Sequence, residues 1–290
     1  MVGGQNEVGR LRQVAVKHVR DAFASDARIA REWQALHYLA CPDYSAALTE
    51  YAQFLEVLRD AGADVRCVPA NDAVGLDSLY VRDAAVVCDR GVILCNMGKP
   101  ARRGEPDALD AAFGALDLPI LGRISNPGRL EGGDVLWIDE RTLAVGRGYR
   151  TNDEGIRQLQ ALLGDAIDEL VVVPLPHWRG PSDVFHLMSL ASPLDRDLCL
   201  VYAPLMPVPF RETLLARGIE LVEVPDAEFP TLGCNVLALA PRRVAAVAGN
   251  PGTRSRLERV GVEVREFPGR EICLKGGGGP TCLTRPLWRQ

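Results

Sequence analysis

The stretch Ala84-Ala85-Val86-Val87-Cys88-Asp89-Arg90-Gly91-Val92-Ile93-Leu94-Cys95 contains two short apolar runs separated by a polar tripeptide that ends in glycine. Short apolar runs bounded by turn residues are typical of buried strands, and a short connection that contains glycine is typical of a β-hairpin. The stretch therefore predicts a hairpin of Ala84–Cys88 with Val92–Cys95. A helical pattern near 105–117 and a strand near 119–123 follow. The local unit is strand–strand–helix–strand.

This unit recurs along the chain. Three further hairpins, each followed by a helix and a strand, are predicted for Asp134–Ile138 with Thr142–Val145, Leu187–Ala191 with Leu198–Tyr202, and Asn235–Ala240 with Val244–Ala248. Cys282 begins one more strand, so the units repeat every 47 to 53 residues. A period of this length marks a repeat architecture, because one such unit is too small to bury its own apolar face.

The N-terminal segment supplies the remaining elements of the fifth unit. Leu11–Lys17 alternates enough to form a strand, Tyr44–Ala61 has apolar residues at helical spacing, and Ala63–Val68 returns as a strand. Residues 18–43 are irregular in pattern, and residues 20–40 within them are a candidate lid over the site. If the first strand pairs with the Cys282 strand, the ring closes. The predicted fold class is α/β, a five-bladed α/β propeller that forms one domain over residues 1–290.

Equivalent positions of each unit converge on the axis of a closed ring. The residues just before the hairpins, or at the start of the last strand, include Asp83, Glu131, His186 and Cys282, whereas the fourth unit offers only the thiol of Cys234. A thiol, an imidazole and carboxylates at one axis are the minimum set for an activated thiolate with a proton carrier. A structural role for each residue alone is the competing interpretation, and their joint placement argues against it.

Cys282 follows the run Lys275-Gly276-Gly277-Gly278-Gly279-Pro280-Thr281. Glycines permit positive φ and close approach of the backbone to other groups, and a loop of this kind can present a nucleophilic thiol. The alternative is a buried structural cysteine after a flexible loop.

Composition limits the classes of function. The chain has 290 residues, a net charge of −5 and no basic block, so nucleic acid is not an expected partner. The N-terminus has no apolar signal region and no stretch approaches membrane-spanning length, so we expect a cytoplasmic protein without a membrane partner. The eight cysteines lack metal-binding spacing, so neither zinc nor disulfides are expected. Cys88, Cys95 and Cys199 are expected to be core thiols.

An excess of carboxylates around a thiol indicates a cationic small-molecule substrate. A planar guanidinium offers five N–H donors that match carboxylates in pairs. Asp83, Glu131 and Asp197 are candidates to bind its nitrogens, and Arg102 and Arg150 are candidates to bind a substrate carboxylate. The assembly is left open, with a homodimer among the alternatives.

The chain from about Leu11 to Leu287 resembles the guanidino-group-modifying, or pentein, superfamily, and is most similar to its dimethylarginine dimethylaminohydrolases and arginine deiminases. The motifs that carry the resemblance are Tyr80-Val81-Arg82-Asp83, Leu130-Glu131-Gly132-Gly133-Asp134, Arg150-Thr151-Asn152, His186-Leu187 and Gly277-Gly278-Gly279-Pro280-Thr281-Cys282.

The resemblance implies a role for each matching residue. Cys282 would be the nucleophile, His186 the general acid and base, and Glu131 its carboxylate partner. Asp83 would hold the guanidinium, with Asp197 as a second candidate. Arg102 and Arg150 match the arginines that bind the carboxylate of the substrate. The implied reaction passes through an S-alkylthiouronium intermediate and requires no metal or organic cofactor.

The motifs are divided between the two branches. Met188 stands where deiminases usually have an aspartate, which favours a dimethylaminohydrolase, whereas Arg82 before Asp83 is as in deiminases. The expected products are citrulline with ammonia or a methylamine. An arginine deiminase and an amidinotransferase remain alternatives, followed by a non-catalytic binding propeller and a papain-type protease.

Overall fold

Five small sheets arranged as one repeated pattern make up the architecture. The computed structural model describes residues 3–180 and 185–290. Within these ranges the strands are β1 Leu11–Lys17, β2 Asp64–Val68, β3 Ala85–Cys88, β4 Gly91–Leu94, β5 Ile120–Arg123, β6 Val135–Trp137, β7 Thr142–Arg147, β8 Glu169–Pro174, β9 Ala191–Asp195, β10 Leu198–Val201, β11 Glu220–Glu223, β12 Leu237–Ala240, β13 Arg243–Val247, β14 Glu263–Phe267 and β15 Arg285–Arg289.

Helices connect the second and third strands of each sheet. In the described ranges they are α1 Val19–Phe23, α2 Asp26–Glu32, α3 Tyr44–Asp60, α4 Glu105–Gly114, α5 Asp153–Leu163, α6 Leu187–Leu190, α7 Val208–Ala216 and α8 Pro251–Arg259, with α1 to α3 in one connection and α6 instead before β9. None of the described helices combines the length and apolar character needed to cross a bilayer.

Each sheet has three strands with the same pairing. The sheets are β3-β4-β5, β6-β7-β8, β9-β10-β11, β12-β13-β14 and β15-β1-β2. The central strand pairs antiparallel with the hairpin partner and parallel with the strand that returns after the helix. In the fifth sheet β1 joins β15, so the two ends of the chain meet. The predicted five-bladed α/β propeller is confirmed.

Apolar side chains fill the spaces between sheets and helices. The helix α3 shows how the sequence achieves this: Asp43 caps its N-terminus by accepting from the Ala46 N–H, and Tyr51, Phe54 and Leu58 form its buried face. The Phe54 ring packs against Phe267 of β14 at a tilt of 44°. The predicted helix Tyr44–Ala61 is therefore confirmed.

Two predictions about local structure are wrong. Leu187–Leu190 is a short helix, and the hairpin strand begins only at Ala191. The reason is a capping arrangement, in which Ser189 Oγ accepts from the His186 N–H while the Ser189 N–H returns to the His186 carbonyl. Residues 18–43, expected to be irregular, contain α1 and α2, and Ser25 caps α2. The predicted core thiols Cys88, Cys95 and Cys199 are buried and free.

Candidate active site

Three of the predicted site residues form one polar cluster at the centre of the ring. His186 Nε2 lies 2.8 Å from Glu131 Oε2, and His186 Nδ1 lies 3.7 Å from Asp83 Oδ1. Asp83 and Glu131 are buried, while the His186 side chain is 16% exposed. The imidazole thus stands between two carboxylates, with part of its surface open to a ligand.

Glycine is required where the cluster meets the second unit. A Cβ atom on Gly133 would lie 2.6 Å from Asp83 Oδ1 and 2.7 Å from His186 Nδ1. No real Cβ atom approaches other atoms so closely, so any side chain here would push the two groups away. The Glu131-Gly132-Gly133 sequence therefore lets the imidazole approach the backbone of the neighbouring unit.

A relay of hydrogen bonds fixes Glu131 and His186 relative to each other. The Glu131 N–H donates to Thr151 Oγ1 at 3.2 Å, and that hydroxyl donates to Asp134 Oδ2 at 2.7 Å. The other oxygen of Asp134 accepts from the N–H of Leu187, the residue after His186. Burial raises the pKa of Asp134 to about 6, so this internal acid is close to protonation at neutral pH. Both oxygens of Asp134 accept these hydrogen bonds, so Asp134 positions Glu131 and His186 and offers no unbonded oxygen to a ligand.

Cys282 is half-buried at the end of the glycine loop, as predicted from the run of four glycines. Only Gly277 of that run has a positive φ, of 77°. The others are needed for close approach: a Cβ atom on Gly276 or Gly278 would collide with Tyr80, and one on Gly279 would lie 2.4 Å from Asn235 Oδ1. The loop is held near the first unit because the Arg82 N–H donates to the Cys282 carbonyl at 3.2 Å.

Asn235 is a site residue that the sequence reasoning missed. Its Nδ2 donates to Cys282 Sγ at 3.5 Å, and its Oδ1 accepts from both the N–H and the hydroxyl of Thr281. Asn235 comes just before β12, so it is the contribution of the fourth unit to the axis. The residue predicted for this position was the neighbouring Cys234, since a thiol is ionisable and an amide is not. Cys234 is instead buried in the core.

The thiol is protonated and the imidazole is charged in the free site. Burial raises the pKa of Cys282, and the nearby Asp83 raises it further, while Thr281 and Asn235 act in the opposite direction. Burial would lower the pKa of His186, but Asp83, Asp134 and Glu131 outweigh it and raise the value to about 9. A cation bound near the ionised Asp83 would favour the thiolate of Cys282.

Both central carboxylates are held ionised by cations. Burial alone would raise the pKa of Glu131, but the hydrogen bond from His186 and the charge of Arg150 hold it well below its usual range. For Asp83, the charges of His186 and Arg102 likewise overcome burial and lower the pKa. Asp83 Oδ2 accepts from Arg102 Nη1 at 2.5 Å, whereas the buried Asp83 Oδ1 has no hydrogen-bond partner among the described residues. That oxygen can accept a bond from a ligand.

The structure does not bring Asp197 into this site, so the prediction that it binds the guanidinium is wrong. Asp197 lies at the tip of the β9–β10 hairpin, its side chain is 65% exposed, and it forms an ion pair with Arg242 at 2.9 Å. The hairpin runs outward from His186, so its tip is at the periphery of the ring while the residue that precedes the unit is at the axis.

The two arginines predicted to bind a carboxylate have different surroundings. Arg102 is buried, and its donors are used by Glu105 through two bonds, by Asp83 and by the Tyr80 carbonyl. Its guanidinium group therefore holds Asp83 in place and does not offer a pair of unbonded N–H groups to a substrate carboxylate. Arg150 is 19% exposed and donates from Nη1 to Glu131 Oε2 at 2.9 Å. No hydrogen bond joins its Nη2 to another residue in the part of the chain that the structure describes.

The ligand atoms of Asp83, Glu131 and His186 lie within 4.8 Å of one another, which is a spacing that can hold a metal ion. However, Glu131 is already paired with His186 and Arg150, and Asp83 with Arg102. Arg102, Arg150 and His186 thus supply positive charge to both carboxylates, while Asp83 Oδ1 keeps no hydrogen-bond partner among the described residues. This arrangement of carboxylates and imidazole can bind a cation and transfer a proton.

Comparison with known proteins gives a consistent result. A family model described as "N,N dimethylarginine dimethylhydrolase, eukaryotic" matches residues 23–289. The N(G),N(G)-dimethylarginine dimethylaminohydrolase of Streptomyces coelicolor is 32% identical over 248 residues, covering 83% of this chain and 86% of that protein. The arginine deiminase of Listeria welshimeri is 29% identical over 256 residues, covering 74% of this chain and 62% of that protein.

A solved structure is similar over almost the whole chain. The dimethylarginine dimethylaminohydrolase of Pseudomonas aeruginosa, crystallised as a mutant with citrulline, superimposes with a TM-score of 0.75 at 24% identity, covering 95% of this chain and 98% of that one. The predicted superfamily is confirmed. So is the predicted enzyme class, a hydrolase of carbon–nitrogen bonds in linear amidines.

Proposed function

The chain belongs to the dimethylarginine dimethylaminohydrolase family, and we propose that it hydrolyses the guanidinium group of an N-omega-methylated arginine to citrulline and a methylamine through Cys282. The observation that carries the proposal is the unpartnered Asp83 Oδ1 beside the imidazolium of His186. An ionised, buried carboxylate oxygen without an internal donor is suited to bind a cation with N–H groups.

The number of carboxylates favours a methylated substrate over arginine. Because Asp197 is at the periphery, the described carboxylates of the site are Asp83 and Glu131, and Glu131 is already bonded to His186 and Arg150. Arginine would bring five N–H donors into this site, whereas asymmetric dimethylarginine brings about three. Unpaired donors in a buried site cost free energy. A site with few acceptors therefore penalises arginine more than its dimethylated form.

The mechanism follows from the charges. Binding of the cationic substrate favours the Cys282 thiolate, and the thiol proton is released to solvent. Sulfur attacks the guanidinium carbon, a carbon–nitrogen bond breaks, and His186 gives its proton to the leaving amine. The product of this step is an S-alkylthiouronium cation, which Asp83 and Glu131 stabilise. His186 then takes a proton from water, which attacks the same carbon. The carbon–sulfur bond breaks to return the thiolate, and the hydroxyl proton of the adduct is released to solvent, which leaves the ureido group of citrulline.

Other residues hold the substrate and the nucleophile in place. The free terminal nitrogen of Arg150 is proposed to bind the carboxylate of the amino acid, and Asn235 to hold the sulfur through Nδ2. Arg102 is proposed to keep Asp83 ionised and oriented. A nucleophilic thiol is preserved in a reducing compartment, which agrees with the predicted cytoplasmic location.

The test is a product assay with asymmetric dimethylarginine, monomethylarginine and L-arginine, comparing wild type, Cys282→Ser and the control Cys67→Ser, an exposed thiol of β2. We expect citrulline and dimethylamine from wild type and Cys67→Ser, and neither from Cys282→Ser. A denatured wild-type sample quenched during turnover should carry the added mass of the thiouronium on the peptide that contains Cys282.

The alternatives predict different products. Citrulline and ammonia from L-arginine at a higher kcat/KM would identify an arginine deiminase, which the similarity to the Listeria enzyme supports as a second candidate. Transfer of the amidino group to added glycine or lysine would identify an amidinotransferase. No product from any substrate in wild type would contradict the proposed function.

A further inference from the structure

A second group of buried charges lies in the axial core behind the site. It consists of Arg82, Arg285, Arg289 and Glu7, all of which are less than 8% exposed. Arg285 and Arg289 are the first and last residues of β15, and both are buried. Arg82 directly precedes Asp83, and while Asp83 faces His186, Arg82 forms an ion pair with Glu7 at 2.7 Å. We call these four residues the axial arginine cluster.

The arginines of the cluster are fixed by the surrounding units. Arg285 Nη1 donates to the Ala85 carbonyl of β3 at 3.0 Å. Arg289 Nη1 donates to the carbonyls of Gly9 and Ala238, at 2.7 and 2.8 Å. Both side chains therefore extend sideways from β15 to the neighbouring inner strands β3 and β12, and their guanidinium groups are held in the core of the ring.

Most of the remaining donors of the cluster have no acceptor. Five buried nitrogens lack a hydrogen-bond partner among the described residues: Arg82 Nε and Nη1, Arg285 Nε, and Arg289 Nε and Nη2. Guanidinium groups stay protonated in proteins, so three positive charges stand against the carboxylate of Glu7, with Asp83 adding a smaller contribution at Arg285. Burial, followed by the charge of Arg82, lowers the pKa of Arg285 to about 9, although Glu7 and Asp83 act in the opposite direction.

Unpaired buried charge is strongly destabilising, and buried donors are almost always satisfied. The three arginines are therefore missing an acceptor that carries negative charge and can be reached from several directions. A small inorganic anion meets both conditions, because it has no preferred direction and can accept from several N–H groups at once. A water molecule would satisfy some donors but none of the excess charge.

We propose that Arg82, Arg285 and Arg289 form a binding site for a small inorganic anion such as chloride in the axial core, with Glu7 as the internal counter-charge. The site is separate from the substrate site, because Arg82 pairs with Glu7 while the neighbouring Asp83 faces His186. The anion stabilises the closed ring by neutralising β15, the strand through which the two ends of the chain meet.

The first experiment measures thermal unfolding of the wild type in sodium chloride and in sodium gluconate at equal ionic strength. Because chloride would bind the folded state only, Tm should rise by several degrees with chloride, linearly with the logarithm of its concentration once the site is saturated. Gluconate is too large to enter the core, so it should reproduce only the screening effect. Equal Tm values in the two salts across the whole range would overturn the proposal.

Two variants change the charge of the cluster in opposite directions. Glu7→Gln keeps the shape but removes the counter-charge, so half-saturation should occur at a chloride concentration at least several-fold lower. Arg289→Gln removes one positive charge and should raise that concentration about tenfold or more. Should Arg289→Gln fail to fold, Glu7→Gln alone decides, since unchanged chloride dependence in that variant contradicts the site.

Crystals grown in sodium bromide locate the ion directly. An anomalous peak at the bromine absorption edge between the three guanidinium groups would support the proposal, provided that the chloride titration saturates in solution. Ordered water at all five nitrogens, with no anomalous peak, would overturn it. A peak without any chloride dependence of Tm would identify an adventitious ion only, and would also count against the proposal.

Discussion

Substituting Gly133 with alanine tests whether the close approach of Asp83 and His186 is required for the reaction. The new Cβ atom would lie 2.7 Å from His186 Nδ1 and 2.6 Å from Asp83 Oδ1, whereas ordinary contacts begin near 3.4 Å. The imidazole must therefore retreat by 0.7 Å, the difference between 3.4 and 2.7 Å, and the carboxylate by 0.8 Å. Both groups are in the proposed proton-transfer and cation-binding path.

The size of the effect follows from this displacement. Moving a reacting group by about 1 Å can lower a rate by about 10²-fold, which corresponds to about 3 kcal/mol of transition-state stabilisation. We expect Gly133→Ala to keep about 1% of the wild-type kcat/KM on the methylated substrate. Because the His186 side chain is 16% exposed, the imidazole has room to shift, and the loss of Tm should be small by comparison.

The assay is steady-state release of citrulline, with Gly114→Ala as the matched control. Gly114 ends α4, and a Cβ atom there would meet no other atom within 4 Å. The control should therefore retain full activity and equal or higher stability. Wild-type kcat/KM in Gly133→Ala, with a crystal structure in which the imidazole has not moved, would refute the assignment of the cluster.

Three further predictions follow from the site. Asp197→Asn should leave kcat/KM within about twofold of wild type, since the residue is exposed, whereas Asp83→Asn should lower it by at least about 10²-fold; the reverse order, measured in the citrulline assay, would restore the sequence-based assignment. Asn235→Asp keeps the acceptor for Thr281 but replaces the donor to sulfur with a negative charge, so alkylation of Cys282 by iodoacetamide at pH 8 should slow by about tenfold, and an unchanged rate would exclude a role for Asn235 in holding the thiolate. Because the pKa of His186 is raised to about 9 in the folded state, its contribution to the free energy of unfolding is complete below about pH 6.5 and is lost as pH rises through 9; urea unfolding of wild type and His186→Asn should give curves that converge over this window, and a constant difference would show that the imidazole is not charged.

The repeat could be predicted because the turns that separate its strands are marked by local sequence. Each hairpin is marked by a polar turn such as Asp89-Arg90-Gly91, and the period identifies the architecture without knowledge of long-range contacts. Short apolar runs are less informative, and Leu187–Leu190 could be read as strand or helix. The capping pair of His186 and Ser189 decided between them, and it was visible in the sequence only as a weak signal.

The site could be predicted where a residue holds an equivalent position in its unit. That reasoning found Asp83, Glu131, His186 and Cys282, and it would have found Asn235 if amides had been considered along with ionisable groups. It could not place Asp197, because a resemblance in sequence does not say that the hairpin carries this residue outward to Arg242.

The position of Arg102 shows that residue type alone does not predict which groups a buried arginine pairs with. An arginine near the site was expected to bind the substrate carboxylate, but its guanidinium is buried between Asp83 and Glu105. Burial and Glu131 act to raise the pKa of Asp83, whereas the charges of His186 and Arg102 lower it. A protonated Asp83 could not attract a guanidinium through its free oxygen, so we propose that Arg102 contributes to substrate binding by helping His186 to keep Asp83 ionised. The amino-acid end of the substrate is proposed to bind Arg150, whose Nη2 has no hydrogen bond to another described residue.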